Sequence, residues 1–332
     1  MNLLAKDPHN TAIVGFDPNF CKYMPLEVAQ QREHLGNLGP RRYYRAYVQE
    51  FMDEARHGGY LVAYNHPCWS MEAEEDVLSY QGCFSLEMFN TGSQLISGGE
   101  SNLALFDKLL RRGKFLFVHG ADDNHNKEPF GTLLCDSFGA WTQVLAKDLE
   151  YQSVIEALEK GDFYATTGPT ITNLTFDRNH VTLDCTPAQR IIAHGSPKVA
   201  RNICNPDGSP VTHAEFDIPD KAPYVYFSVL TADGKAARTR FFSFENLVPY
   251  AFVMFSSAKT CSFSIVIKCT DCRRRFTQRV PSQRQSNFIA ILCCGYSTSH
   301  HFRKHKLQDD IRKFLGHFIQ RLLNLFFGRK VR

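Results

Sequence analysis

The sequence predicts an α/β fold: a parallel sheet or (β/α) barrel with one mouth, then a small all-β domain, then a basic, cysteine-rich tail. Three observations predict it. Helix and strand patterns alternate from Tyr43 to Lys160, and polar residues gather where the apolar strands end. From Thr170 the pattern changes to the period-two alternation of exposed-face strands. From Val248 the charge changes sign, with 16 Lys and Arg against 3 Asp and Glu, whereas Met1 to Leu247 carries 22 basic and 31 acidic residues. Segments with net charges of +13 and −9 seldom belong to one packed unit. The expected divisions are therefore 1–169, 170–247 and 248–332.

The composition agrees with two folded domains. A chain of 332 residues exceeds one ordinary domain, and 43% hydrophobic with 22% charged residues describes a soluble globular protein. Eleven cysteines, an odd number, follow a polar opening (NLLAKDPHN) without a secretory pattern. Reduced thiols and a cytoplasmic location are expected. No apolar run approaches the roughly 20 residues that span a bilayer.

In chain order, His9 to Phe16 reads as a strand and Leu26 to Leu38 as a helix or ordered loop. Tyr43 to His57 reads as a helix, with Tyr44, Val48, Phe51, Met52 and Ala55 recurring on one face and Gly58-Gly59 as its stop. Tyr60 to Tyr64 is a continuous apolar strand of the kind buried on both faces. Asp76 to Tyr80 reads as a short helix, Phe84 to Phe89 as a strand, and Ser101 to Arg112 as a helix capped by Ser101. Phe115 to Val118 forms the next strand, Gly139 to Leu145 another, and Tyr151 to Lys160 a helix ended by Gly161. In the β region, Asp233-Gly234 marks a hairpin turn.

The chemistry concentrates at three strand ends. The run KFLFVHGADDNHN ends in Asp122, Asp123, Asn124 and His125. Asp123 and His125 form a D-x-H pair, an oxygen and an imidazole able to face one divalent metal, and an Asx-type turn is the alternative. His66, after the Tyr60 strand and before Pro67, stands at a ligand position, although a lone histidine is more often structural. Glu87, inside an apolar strand, is costly to bury unless it is paired or metal-bound.

Together NHPCWS, FSLEMFN, GADDNHN and the run GDFYATTGP resemble the polymerase-and-histidinol-phosphatase (PHP) family of metal-dependent phosphoesterases. The likeness is greatest to a bacterial branch whose barrel precedes a small β domain, and it covers roughly Ala5 to Leu247. The resemblance implies a distorted (β/α)7 barrel with two or three divalent ions, zinc, manganese or iron, at the strand C-termini. Carried onto matching positions, it makes His66, Asp123 and His125 metal ligands and adds Glu87, from an E-x-x-N strand, to the metal candidates. Asp122 and Asn124 become catalytic candidates that orient a ligand, and Asn65, Trp69 and Asn90 line a pocket for a phosphorylated small molecule or nucleotide. His9 lies near another family histidine.

The departures are as informative as the matches. The family's opening H-x-H, T-D-H and G-x-E motifs have no counterpart before His9. The expectation is a partial barrel that starts about three strands in, with a frame-altered gene model accounting for both ends. In the tail, Cys269, Cys272, Cys293 and Cys294 make a poor zinc ribbon. The segment 307–327 reads as a basic amphipathic helix, suited to an anionic surface or to burial. Hydrolysis of a phosphate ester by metal-activated water is the expected function. The competing expectation is a non-catalytic remnant whose basic tail, lacking a nucleic-acid reading motif, contacts an anionic partner.

Overall fold

In a computed structural model, the structure describes residues 1–7, 44–98, 102–125, 127–196, 199–243, 252–255, 263–265 and 289–290. All of them lie in one compact unit, Met1–Tyr296. The expected strand His9 to Phe16, the segment Leu26 to Leu38, the Ser101 cap, the tail cysteines and the helix 307–327 lie outside the described residues.

The fold is mixed α/β with several sheets, and the described strands do not close into a barrel. The first sheet has the order β1 (Asn2–Ala5), β2 (Tyr60–Tyr64), β3 (Ser85–Asn90), β4 (Phe117–Ala121). Strands β2, β3 and β4 run parallel, while β1 pairs antiparallel with β2. Parallel order brings the C-terminal ends of β2, β3 and β4 to one edge. That edge carries the polar residues singled out in the sequence.

Helices α1 (Arg45–His57), α2 (Pro67–Ser70), α3 (Glu74–Ser79), α4 (Thr91–Ser97) and α5 (Leu103–Arg111) lie between these strands, and α6 (Tyr151–Lys160) follows. Helix α1 buries Tyr47, Met52 and Ala55 and places Arg56 and His57 in its last turn, where cations favour the carbonyl end. Helix α5 buries Phe106, Leu109 and Leu110. Met52, Ala55 and the three α5 side chains pack with Val62, Leu86, Met88 and Val118 in one core cluster, where each fully buried Val, Leu, Met or Phe contributes about 1.5–3 kcal/mol. Another cluster joins Leu61 to Val144, Ala157, Leu158 and Phe163.

The fourth strand differs from its expectation. It runs from Phe117 to Ala121 rather than from Phe115 to Val118, so His119 and Gly120 belong to the sheet. The physical reason is a close backbone approach. A Cβ on Gly120 would stand 2.7 Å from the Trp141 carbonyl oxygen, so only glycine lets β5 (Trp141–Val144) cross here.

The β region forms two sheets. One has the order β10 (Val199–Ile203), β9 (Arg190–Ser196), β12 (Tyr224–Leu230), β13 (Ala236–Thr239), β6 (Phe163–Thr166), β5, β15 (Phe263–Ile265), β16 (Ile289–Ala290). The other has the order β11 (Val211–Asp217), β8 (His180–Ala188), β7 (Ile171–Asp177), β14 (Phe252–Phe255). Their facing side chains, including Leu174, Phe176, Leu183, Ile191, Phe227 and Val229, share one core. The β12–β13 hairpin turns at Asp233-Gly234 as expected, with Gly234 at φ 83°. Strand pairing runs continuously from β13 through β6 to β5, across the expected division between residues 169 and 170.

Candidate functional site

Glu87 is the centre of the strand-end cluster. It is fully buried in β3, and its oxygens receive three donors. Oε1 accepts from Asn65 Nδ2 at 2.9 Å, while Oε2 accepts from the His66 backbone N–H at 2.7 Å and from Asn90 Nδ2 at 2.8 Å. Burial pushes its pKa up to about 8, against the pull of these donors. The carboxylate thus ties the end of β2 to the end of β3.

The two neighbours so held are strained or oriented. His66 sits at φ 34° and Asp123 at φ 47°, both in the left-handed region that side-chain-bearing residues seldom occupy. Asn90 Nδ2 also donates to Asp123 Oδ2 at 3.2 Å, and Asn90 Oδ1 accepts the Ser93 N–H at 2.7 Å, capping α4. His66 Nδ1 shares a 2.8 Å hydrogen bond with Ser70 Oγ, which leaves Nε2 for a ligand. Burial lowers the His66 pKa, and the Asp123 carboxylate acts against that fall. His66 and Asp123 are therefore electrostatic neighbours at one mouth.

The remaining candidates occupy different surroundings. Trp69 is 47% exposed, with its ring edge-on to His66 at 5.1 Å. Asp122 is buried, and its carboxylate accepts from Thr91 Oγ1 at 2.8 Å and from the backbone N–H groups of Phe138, Gly139 and Ala140 at 2.5, 2.9 and 2.9 Å. These four donors fasten the β4–β5 loop. Burial raises the Asp122 pKa, opposed by the same donors. Asn124 is buried and donates to Ser137 Oγ at 2.6 Å. His125 is exposed, and its backbone N–H donates to Asp136 Oδ2 at 2.5 Å.

One buried residue of this cluster escaped the sequence reading. His119 lies beside Glu87 in the β3–β4 register, is 2% exposed, and shares a 2.9 Å hydrogen bond from Nδ1 with Ser85 Oγ. Its Nε2 stands 3.8 Å from Glu87 Oε1 and has no hydrogen-bond partner among the described residues. Burial holds its pKa near 3, so it is neutral, and the contact with Glu87 is not an ion pair. The visible signal was a histidine within an apolar run; what hid it was the placement of the strand end.

A divalent cation takes imidazole and carboxylate ligands, and His66 with Asp123 supplies that pair at a strained strand edge. Glu87 already accepts three donors, two on Oε2 and one on Oε1, which leaves one acceptor position, on Oε1. Among the described residues no group of three or more His, Cys, Asp or Glu side chains is arranged around a common metal position. His66 and Asp123 thus supply one imidazole and one carboxylate, two of the three or more protein ligands that a divalent site ordinarily uses. No protein-family model, curated protein or solved structure matches this chain.

Proposed function

We propose that this chain is a metal-dependent phosphoesterase of the PHP type, with a partial (β/α) barrel that presents His66 and Asp123 to a divalent cation. The observation that carries the reading is the meeting of His66, Glu87, Asn90 and Asp123 at the C-terminal ends of three parallel strands, with both candidate ligands in left-handed backbone conformations. Zinc, manganese or iron suits the pair, and a bound cation would acidify a water and neutralise phosphate oxygens.

The chain's own residues do the positioning. Glu87 receives the His66 backbone N–H and fixes its unusual φ. Asn90 divides its amide between Glu87 and Asp123, which holds the Asp123 carboxylate toward β3. Ser70 selects the His66 nitrogen that stays free, and exposed Trp69 offers an apolar wall for the organic part of an ester. His125, a ligand by the family resemblance, lies exposed in the loop that follows, and the reading rests on His66 and Asp123.

Hydrolysis of p-nitrophenyl phosphate with added manganese tests the reading. The expected result is turnover abolished by chelation and reduced at least about 10–100-fold in His66→Ala, since a ligand matters no less than the partners that orient it. Turnover that survives both chelation and the substitution would assign the activity elsewhere and reject the proposal.

A further inference from the structure

A second polar feature lies on the face of the large β sheet. Arg238, in β13, is 8% exposed, and its Nε and Nη1 have no hydrogen-bond acceptor among the described residues. Its guanidinium lies over the Phe89 ring at 5.9 Å. In the strand register it stands opposite Ser228, itself fully buried, and Tyr226 stands opposite His194. His194 Nε2 and Ser228 Oγ are 2.9 Å apart, and the imidazole stacks on Tyr226 at 4.7 Å with 6° between the planes.

Burying a cation without a counter-charge is expensive, and proteins rarely leave one so. Burial lowers the Arg238 pKa to about 10, and the Tyr226 hydroxyl is the one described group that acts against the fall. His194 meets the same cation and is held neutral, its pKa brought to about 4 by burial and by Arg238. The Tyr226 hydroxyl donates to Asp107 Oδ1 at 3.4 Å, a carboxylate that Arg111 also pairs with, and among the described residues no carboxylate acts on Arg238 directly. Ser228, His194 and Tyr226 themselves are neutral. The chemistry that satisfies them is an anion with several acceptor oxygens.

We infer that Arg238, with Ser228 and His194 beside it, forms an anion site that takes a small tetrahedral oxyanion, phosphate or the phosphate group of a small ester. Phosphate suits it better than a carboxylate because the guanidinium on one strand is joined by one further donor, the Ser228 hydroxyl or the His194 N–H according to which donates to the other, from a neighbouring strand, and a tetrahedral anion presents oxygens in more than one plane. The site uses neither His66 nor Asp123, and its test does not depend on hydrolysis.

The experiment is thermal unfolding of the full chain in inorganic phosphate, a small phosphate monoester, acetate or chloride at equal ionic strength. Phosphate far above its dissociation constant is expected to raise Tm by on the order of 5 °C, more than acetate or chloride. Free phosphate acting alone identifies the free ion as the ligand; an equal effect of the monoester identifies the phosphate group. The variant R238M is expected to fold, with an unchanged far-ultraviolet spectrum, and to lose the phosphate-dependent rise. R238K, which keeps the charge, is expected to retain part of it. Titration by 31P line broadening gives a second readout that does not need stability. An equal Tm rise in wild type and R238M, or no response to phosphate in either measurement, overturns the inference.

Discussion

Replacing Glu87 with alanine is expected to destabilise the chain by about 3–5 kcal/mol, a large share of the 5–15 kcal/mol that holds a typical domain. The substitution opens a cavity at a fully buried position and leaves the His66 N–H and the Asn65 and Asn90 amides without their acceptor. Glu87→Gln is expected to behave differently. The glutamine oxygen can accept from His66 and Asn90, and Asn65 can turn its amide so that its buried Oδ1, unpartnered among the described residues, accepts from the new NH2. Its main effect is then on pH dependence. Glu87 moves from 4.5 when unfolded to about 8 when folded, so the folded state keeps a proton that the unfolded chain releases. That contribution is complete below pH 4.5 and is lost as pH rises toward 8. His119 moves the other way, from 6.5 to about 3, and its contribution is lost as pH falls through that window. The two slopes cancel between 4.5 and 6.5, and only the Glu87 slope remains from 6.5 to 8. Denaturant titrations should show the wild type losing about 2 kcal/mol relative to Glu87→Gln between pH 6.5 and 8. Parallel curves over that interval would mean that Glu87 is ionised in the folded state.

Asp122→Ala is expected to cost about 3 kcal/mol or more, because it orphans three backbone N–H groups and the Thr91 hydroxyl at once. The loss is local before it is global. The β4–β5 loop carries Asp123 through His125, and its fastening depends on Asp122. Hydrogen exchange should therefore accelerate at Phe138, Gly139 and Ala140 in this variant while β8 and β12 stay protected. Uniform acceleration throughout the chain would show instead that the loop is not a separable unit.

Much of this was legible from residue order, and its limits have physical causes. The apolar runs ending in NHP, in N and in DDNH announced parallel strands with polar ends, because a strand buried on both faces needs continuous apolar sequence. Glu87 stood out for the same reason. Its partners did not: Asn65 lies 22 residues away, and only the β2–β3 pairing brings it to the carboxylate. Spacing singles out Asp123 as half of a D-x-H pair, but nothing in the residue order shows what the adjacent Asp122 holds. The fold separates them, since Asp122 receives the loop backbone whereas Asp123, at φ 47°, turns toward Asn90. The membership of β5 and β6 in the large β sheet was also hidden, because an apolar strand carries no mark of which sheet it joins. Gly92 shows the same limit. Its N–H donates to the Asp122 carbonyl at 2.8 Å, and a Cβ there would stand 2.9 Å from the Asp123 carbonyl oxygen, a closeness that no spacing rule reveals.

The central claim is that His66 and Asp123 together hold a divalent cation. Calorimetric titration of manganese or zinc into the metal-stripped chain tests it directly, with His66→Ala and Asp123→Asn measured beside the wild type. The account predicts binding that weakens about 10–100-fold in either variant while the far-ultraviolet spectrum is unchanged. Equal affinity in all three proteins, or no heat of binding in the wild type, would contradict it.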